Sequence, residues 1–206
     1  MGNGPPPATD PSATATGWPF HVPRIAYLLL FLTNCWIWMQ GVHEFGHAVA
    51  AVLTGGHVTC IVWHLSEISR TDVLPNPRPL LVCWAGPVLG CLLPAVAAGC
   101  VSQSGRTGRS LRFFAGFCLI ANGLYLAAGS FDRVGDAGDL LKLGSSIYLL
   151  WAAGLAATVI GLIIWHRLGR VARIRSMHVT RRQLAIQTAI LLVSLLLQQA
   201  VMSLSP

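Results

Sequence analysis

Five long apolar segments run along the chain, and shorter polar stretches separate them. The last four contain no Asp, Glu, Lys or Arg, and the first is interrupted only by His43, Glu44 and His47. A helix needs about 20 mainly apolar residues to cross a hydrocarbon core about 30 Å thick. The pattern therefore predicts five membrane-spanning helices, over residues 25–54, 80–101, 113–130, 143–165 and 184–204.

Two segments do not follow the spanning pattern. Residues 55–76 open with two glycines and continue with β-branched residues over 57–63, which is typical of a strand and predicts a short β-hairpin. Residues 1–23 are rich in Pro, Ala, Thr and Gly, which predicts a disordered tail. The predicted fold class is all-α, a membrane-embedded bundle over residues 24–206 with the hairpin after its first span.

The composition agrees with a membrane protein. Of the 206 residues, 54% are hydrophobic and 10% are charged. A water-soluble domain carries roughly 25% charged residues, so this chain has too few to cover a surface in contact with water. Soluble globular proteins and disordered proteins are both excluded, and the lipid bilayer is the expected environment.

The basic residues are distributed unevenly between the two sides of the predicted bundle. Ten of the 14 lie in the N-terminal segment and in loops 103–112 and 166–182, all on one side. The positive-inside rule places this side, with the N-terminus, in the cytoplasm, where arginines contact anionic headgroups. Nucleic acid is not an expected partner, because no recognition fold accompanies the arginines. The sequence carries no signal for an oligomeric state.

A metal-binding pattern interrupts the first apolar segment, at His43-Glu44-Phe45-Gly46-His47. Residues four apart share one face of a helix, so both imidazoles can bind one metal ion. Glu44 follows the first histidine and can act as a general base toward water at the metal. The alternative is a chance pair of histidines satisfied by neighbours. An ionisable residue in a membrane span favours the functional interpretation.

A catalytic zinc site takes three protein ligands, so a third is expected on another segment. Three aspartates, Asp132, Asp136 and Asp139, follow the third span, on the same membrane side as the C-terminal end of the first. Asp136 is flanked by Gly135 and Ala137, which leave room for close approach, and is our predicted ligand. Asp132 and Asp139 remain alternatives, although Asp139 is also well placed to pair with Lys142.

Together these motifs resemble the site-2 protease family of intramembrane zinc metallopeptidases. The resemblance covers residues 30–144, and its shorter motifs are Ala85-Gly86-Pro87, Asn122 and Gly135-Asp136-Ala137-Gly138. It implies a zinc-dependent endopeptidase that hydrolyses a peptide bond of a membrane-protein substrate. It also implies a role for each site residue: His43, His47 and Asp136 as zinc ligands, Glu44 as the catalytic base, and Asn122 near the substrate backbone.

The chain departs from the family pattern in two respects. Tyr125 stands where the family commonly has proline, and the spacing from Asn122 to Asp136 is longer. These departures keep Asp132 as a competing ligand. The missing proline and the altered Asp-Gly motif, Gly135-Asp136-Ala137 where the family has Leu-Asp-Gly, also favour a second function, a non-proteolytic membrane scaffold or chaperone with a degenerate protease site. In addition, bacterial relatives generally open their site toward the cytoplasm, whereas the arginine count places the Asp136 loop on the opposite side.

Overall fold

The chain folds into a helical bundle with one small hairpin. The computed structural model describes residues 22–65, 69–102, 105–171 and 179–203. In chain order, these residues form α1 (Val22–Leu53), β1 (Val58–Val62), β2 (Arg70–Val73), α2 (Pro79–Cys100), α3 (Arg106–Asp132), α4 (Gly135–Lys142), α5 (Ile147–Val171) and α6 (Arg181–Ser203). The predicted all-α bundle with a hairpin after its first span is confirmed. Of the tail predicted over residues 1–23, residues 1–21 lie outside the described residues.

Five of the described helices, all except α4, are long and apolar enough to cross a membrane. Their outer faces carry large apolar side chains, including Val96, Leu155 and Leu196, which are 61%, 65% and 69% exposed. Such faces are unfavourable in water and suit contact with lipid chains. The chain is therefore an integral, multi-pass membrane protein. The cytoplasmic position of its N-terminus stays a prediction.

Helices α1 and α3 run in the same direction through the bundle. Near their N-terminal ends, the ring centroids of Phe31 on α1 and Phe113 on α3 lie 5.2 Å apart. Further along both helices, His43 contacts Asn122. The α2 helix lies against both and connects to α1 through the hairpin. The polar residues of α1 therefore face a core formed by the first three spans.

The α3 and α5 helices approach each other closely at two glycines. A Cβ atom on Gly123 would lie 2.6 Å from the backbone oxygen of Gly154, and one on Gly154 would lie 2.6 Å from that of Gly123. Small residues allow such backbone contact between membrane helices. Toward the C-terminal end of α3, Leu126 packs with Leu150 of α5 and Leu140 of α4 in a buried cluster. The α5 helix thus supports α3 and holds α4 in place.

The hairpin is fixed against α1 by a tryptophan. Strands β1 and β2 are antiparallel, with Ile61 opposite Thr71. Trp63, just after β1, is buried, and its Nε1 atom donates a hydrogen bond to the backbone oxygen of Ile37 at 2.9 Å. Its ring covers Gly41, where a Cβ atom would lie 2.7 Å from the indole. The hairpin therefore lies beside the part of α1 that carries the histidines.

Helix α4 is the element that the sequence did not predict. Residues 130–139 were expected to form a loop before a span beginning at residue 143, whereas α5 begins at Ile147. The chain turns where Arg133 and Gly135 adopt left-handed φ angles of 54° and 55°. Glycine and aspartate have low helix propensity, so burial of Ala137 and Leu140 stabilises this short helix.

Candidate metal centre

Three side chains from α1 and α4 converge on one point inside the bundle. The Nε2 atom of His43 lies 2.7 Å from Oδ2 of Asp136, and Nε2 of His47 lies 3.4 Å from the same oxygen. The two Nε2 atoms are 3.1 Å apart. Both histidines are 6% exposed, so the donor atoms are largely shielded from solvent. The structure therefore brings together the three residues predicted as ligands.

The opposite side of each imidazole is fixed by a hydrogen-bond acceptor. Nδ1 of His47 donates to the backbone oxygen of Val82 at 2.8 Å. The amide nitrogen of Asn122 donates to the backbone oxygen of Cys118, so its amide oxygen faces Nδ1 of His43, at 2.6 Å. Carbonyl oxygens only accept hydrogen bonds, so both Nδ1 atoms carry hydrogen. Each Nε2 is then available for a proton or a metal ion.

This donor set suits a zinc ion. Zinc in catalytic sites is bound by three side chains such as His and Asp, at about 2.0–2.2 Å, so neighbouring tetrahedral ligands lie about 3.3 Å apart. The separations among His43, His47 and Asp136 are 2.7, 3.1 and 3.4 Å. Metal-binding histidines usually donate their other N–H to a carbonyl or carboxylate, as both do here. The residues present fit the metal that the sequence predicts.

Asp136 is held at the site by its own surroundings. Burial raises the pKa of its carboxyl group, but the hydrogen bonds and the charge interactions with His43 and His47 together lower it further, so the pKa lies below its ordinary value of 3.8. The backbone N–H of Asp136 donates to the hydroxyl of Tyr125 at 3.3 Å. A Cβ atom on Gly135 would overlap that hydroxyl, so the close approach requires glycine there. Asp136 is therefore an ionised, oriented carboxylate.

The two alternative aspartates lie elsewhere. Asp132 ends α3 and is exposed. Asp139 is also exposed, and its Oδ1 atom forms an ion pair with Nζ of Lys142 at 2.8 Å. Neither belongs to the histidine cluster, which contains Asp136 alone among the three. The turn through Arg133 and Gly135 is the reason that Asp136, and neither of the other two aspartates, reaches the histidines, because it directs the first turn of α4 toward α1.

Glu44 is buried beside the cluster, with 3% of its surface exposed. Its Oε2 atom accepts a hydrogen bond from the hydroxyl of Thr71, on β2, at 2.7 Å. Thr71 was not singled out in the sequence, because nothing in its local pattern relates it to a residue 27 positions earlier. The hairpin thus contributes a polar contact to the candidate base.

Helices α1 and α2 cross at two glycines next to the histidines. A Cβ atom on Gly46 would lie 2.5 Å from the backbone oxygen of Ala85, and one on Gly86 would overlap the imidazole of His47. Gly90, one turn further along α2, faces the side chain of Asn122. The small residues of α2 therefore let its backbone reach the site, which gives Ala85-Gly86-Pro87 a packing role.

Residues 22–131 match the family model described as Peptidase M50B-like, and this range is a little over half of the chain. The chain belongs to the Peptidase M50B-like family. This M50B-like membership confirms the resemblance to the site-2 proteases. No curated protein and no solved structure matches the chain.

The M50B-like match includes His43, Glu44, His47 and Asn122 but ends before Asp136. The third candidate ligand therefore rests on the structure of the turn after α3. Two residues beside the candidate site were not predicted to contribute to it. No sequence pattern indicated Thr71, and Tyr125 was noted only as a departure from the family pattern. The structure places Tyr125 against both Asp136 and the ring of His43.

Proposed function

We propose that this M50B-like protein is a zinc-dependent intramembrane endopeptidase that hydrolyses a peptide bond of a membrane-protein substrate. The observation that supports it most is the convergence of His43, His47 and Asp136 beside the buried carboxylate of Glu44. A zinc ion bound there would polarise the scissile carbonyl group and lower the pKa of water toward about 7. The other contributions come from side chains of the chain itself.

Glu44 is the proposed general base. Its carboxylate takes a proton from the attacking water and later delivers it to the nitrogen of the leaving amine. The proposed ligands His43 and His47 lie one position before and three positions after Glu44, so the base lies within one helical turn of both. Burial of Glu44 limits competing contacts with solvent.

Asn122 has two proposed roles. Its amide oxygen orients His43 through Nδ1, as partners of metal-binding histidines commonly do. A primary amide can take part in four hydrogen bonds, so the bonds to His43 and Cys118 leave capacity for one to the substrate backbone. The substrate contact implied by the family resemblance is thus compatible with the contact to His43.

The hairpin is the proposed surface for presenting the substrate. A peptide in extended conformation can add to the edge of a sheet through main-chain hydrogen bonds. The β1–β2 sheet has two strands and lies beside the candidate site through Thr71. An unwound segment of a membrane protein added there would have its backbone near Glu44. The lipid bilayer would deliver this substrate, and nucleic acid is not an expected partner.

The test combines zinc content with cleavage of a transmembrane reporter in liposomes. Wild-type protein should hold about one zinc ion per chain. His47→Ala and Asp136→Ala should lose it, while Asp132→Ala and Asp139→Ala, matched controls outside the cluster, should retain it. Glu44→Gln should keep zinc but lose cleavage by at least about a hundredfold.

Two results would contradict the proposal. Folded, zinc-supplemented wild-type protein without zinc would remove its chemical basis. Zinc-loaded protein that leaves membrane reporters intact, and behaves as Glu44→Gln does, would favour the scaffold or chaperone function.

A further inference from the structure

We propose that Thr71 is a positioning residue for Glu44, and that the hairpin sets the orientation of the base through this threonine. The inference rests on the function proposed for Glu44. It assigns to β2, whose sequence shows no catalytic pattern, the function of orienting the general base. It also connects the hairpin, which would bind the substrate, with Glu44, which would transfer the proton.

The contact itself is short and directional. Oγ1 of Thr71 lies 2.7 Å from Oε2 of Glu44 and 3.4 Å from the backbone oxygen of the same residue. Both oxygens of Glu44 only accept, so the hydroxyl donates. Hydrogen bonds to an ionised carboxylate are shorter and stronger than those between neutral groups. With Oε2 held, the torsions of the Glu44 side chain are restricted, and the direction of Oε1 is set with them.

The residue that makes the contact faces inward from its strand. Along β2, Thr71 is half-buried, whereas Arg70 and Asp72 are exposed and contact each other at 3.3 Å. Successive residues of a strand point to opposite faces, so the face that carries Thr71 is the one against α1. A shift of the strand by one residue would replace the hydroxyl with a charged side chain at Glu44.

The hairpin is attached to α1 at a second position that is independent of Thr71. Trp63 donates to the backbone oxygen of Ile37 at 2.9 Å and covers Gly41 with its ring. Gly41 and Glu44 are three residues apart on α1, so the two attachments lie about one helical turn apart on adjoining surface. A displacement of the hairpin would therefore change the position of Thr71 relative to Glu44.

A hydroxyl that merely satisfies a buried carboxylate would have a structural role only. The two roles differ in their consequences: a structural role predicts loss of folding or of metal, whereas a positioning role predicts loss of turnover in a protein that stays folded and keeps its zinc. Thr71→Ser keeps the hydroxyl and removes a methyl group. Thr71→Val keeps the shape and removes the hydroxyl. This pair of variants separates the two roles.

The contact can be tested without any activity. The chain has two glutamates, Glu44 and Glu67, so ¹³C labelling at glutamate Cδ gives two carboxyl signals. Glu67 lies outside the described residues, and Glu67→Gln assigns the remaining signal to Glu44. At constant pH and zinc loading, Thr71→Val should move the Glu44 signal by more than its line width, and Thr71→Ser should leave it in place. Thr59→Val is the matched control, because the Thr59 hydroxyl donates to the backbone oxygen of Asp72 within the same hairpin.

The second measurement determines kcat and KM of the same variants for cleavage of the transmembrane reporter. Thr71→Val should lower kcat about tenfold, the lower end of what supporting residues of a metal site contribute. KM should change by less than about twofold, because substrate binding is not the affected step. Thr71→Ser should restore most of the turnover. Zinc content should match wild type in both variants, and both should stay folded, although Thr71→Val leaves a buried acceptor without its donor and should unfold at a somewhat lower temperature.

Each negative outcome has a defined meaning. An unmoved Glu44 signal in Thr71→Val, or an equal movement in Thr59→Val, would overturn the positioning role. Equal loss of turnover in Thr71→Ser and Thr71→Val, or loss of zinc in either, would overturn it as well. Wild-type protein without proteolysis would instead contradict the proposed function, and the ¹³C measurement would still decide whether Thr71 holds Glu44.

Discussion

The imidazole of His43 joins Asn122 to Asp136. Its Nδ1 atom lies 2.6 Å from the amide oxygen of Asn122, and its Nε2 atom lies 2.7 Å from the carboxylate of Asp136. One ring thus connects α1 with α3 and α4. The ligand atoms of His43, His47 and Asp136 can converge only when these helices are assembled, so metal binding and the packing of α1 with α3 and α4 should depend on each other.

Replacement of Asn122 by alanine tests this relationship. Asn122→Ala removes the acceptor for Nδ1 of His43, and the ring then loses its fixed orientation. We expect zinc affinity to fall about 10–100-fold, measured by competition with a chelator in detergent. Asn34→Ala is the matched control, because Asn34 is a buried amide on α1 that donates to Gln187 rather than to the site. Unchanged affinity in Asn122→Ala would contradict the orienting role.

The sequence predicted the spans and the histidine pair because both depend on local periodicity. A run of apolar residues indicates a membrane helix wherever it occurs, and a spacing of four positions places His43 and His47 on one face of α1. The hairpin followed from β-branched residues after two glycines. These features required no knowledge of contacts between distant segments.

The sequence provides weaker grounds for choosing among the three aspartates than for predicting the spans and the histidine pair. The choice depends on the left-handed φ angles at Arg133 and Gly135, and on the burial of Ala137 and Leu140 in α4. The contact of Thr71 with Glu44 depends on how the hairpin lies on α1. Such features arise from tertiary packing, which local propensities do not encode.

Gly86 should be intolerant of any side chain. In Gly86→Ala the new methyl group would overlap the imidazole of His47, so either the ring or α2 must move. We expect a loss of about 1–3 kcal/mol in the free energy of unfolding, together with weaker zinc binding. Gly99→Ala is the control on the same helix, since its Cβ atom would meet nothing within 4 Å. Equal behaviour of the two variants would show that α2 does not approach His47 this closely.

Tyr125→Phe isolates the hydroxyl group that contacts Asp136. The ring, which lies 6.0 Å from that of His43, is retained, and only the acceptor for the Asp136 N–H is removed. A hydrogen bond of this kind contributes about 0.5–1.5 kcal/mol, so zinc affinity should fall about two- to tenfold. Isothermal titration with zinc would measure the change. Tyr148→Phe, at an exposed position on α5, should bind zinc as wild type does.

The contact between α3 and α5 should be sensitive to side-chain size. Gly154→Val would insert three carbon atoms where the backbone of Gly123 is adjacent, and we expect destabilisation of about 1–3 kcal/mol. Chemical unfolding in detergent, followed by tryptophan fluorescence, would measure it. Gly169→Val is the matched control near the end of α5, where a Cβ atom would have open space. Destabilisation of the same size in both variants would indicate an effect of valine on the helix itself.

The orientation of the site in the membrane follows from the parallel course of α1 and α3. His43 and His47 lie toward the C-terminal end of α1, whereas Arg24, Arg106 and Arg109 lie at the N-terminal ends of the two helices. If arginines mark the cytoplasmic side, the site opens on the opposite side. This expectation conflicts with the cytoplasmic opening implied by the family resemblance.

Labelling of single cysteines in intact cells decides between the two orientations. A chain without its other cysteines can keep Cys100, exposed at the C-terminal end of α2, or instead carry Asp139→Cys on the exposed face of α4. With a maleimide that cannot cross membranes, the arginine rule predicts immediate labelling of Asp139→Cys and labelling of Cys100 only after permeabilisation. The reverse pattern would place the site on the cytoplasmic side. It would also mean that the arginines of loops 103–112 and 166–182 do not determine the topology, so that their function would lie elsewhere.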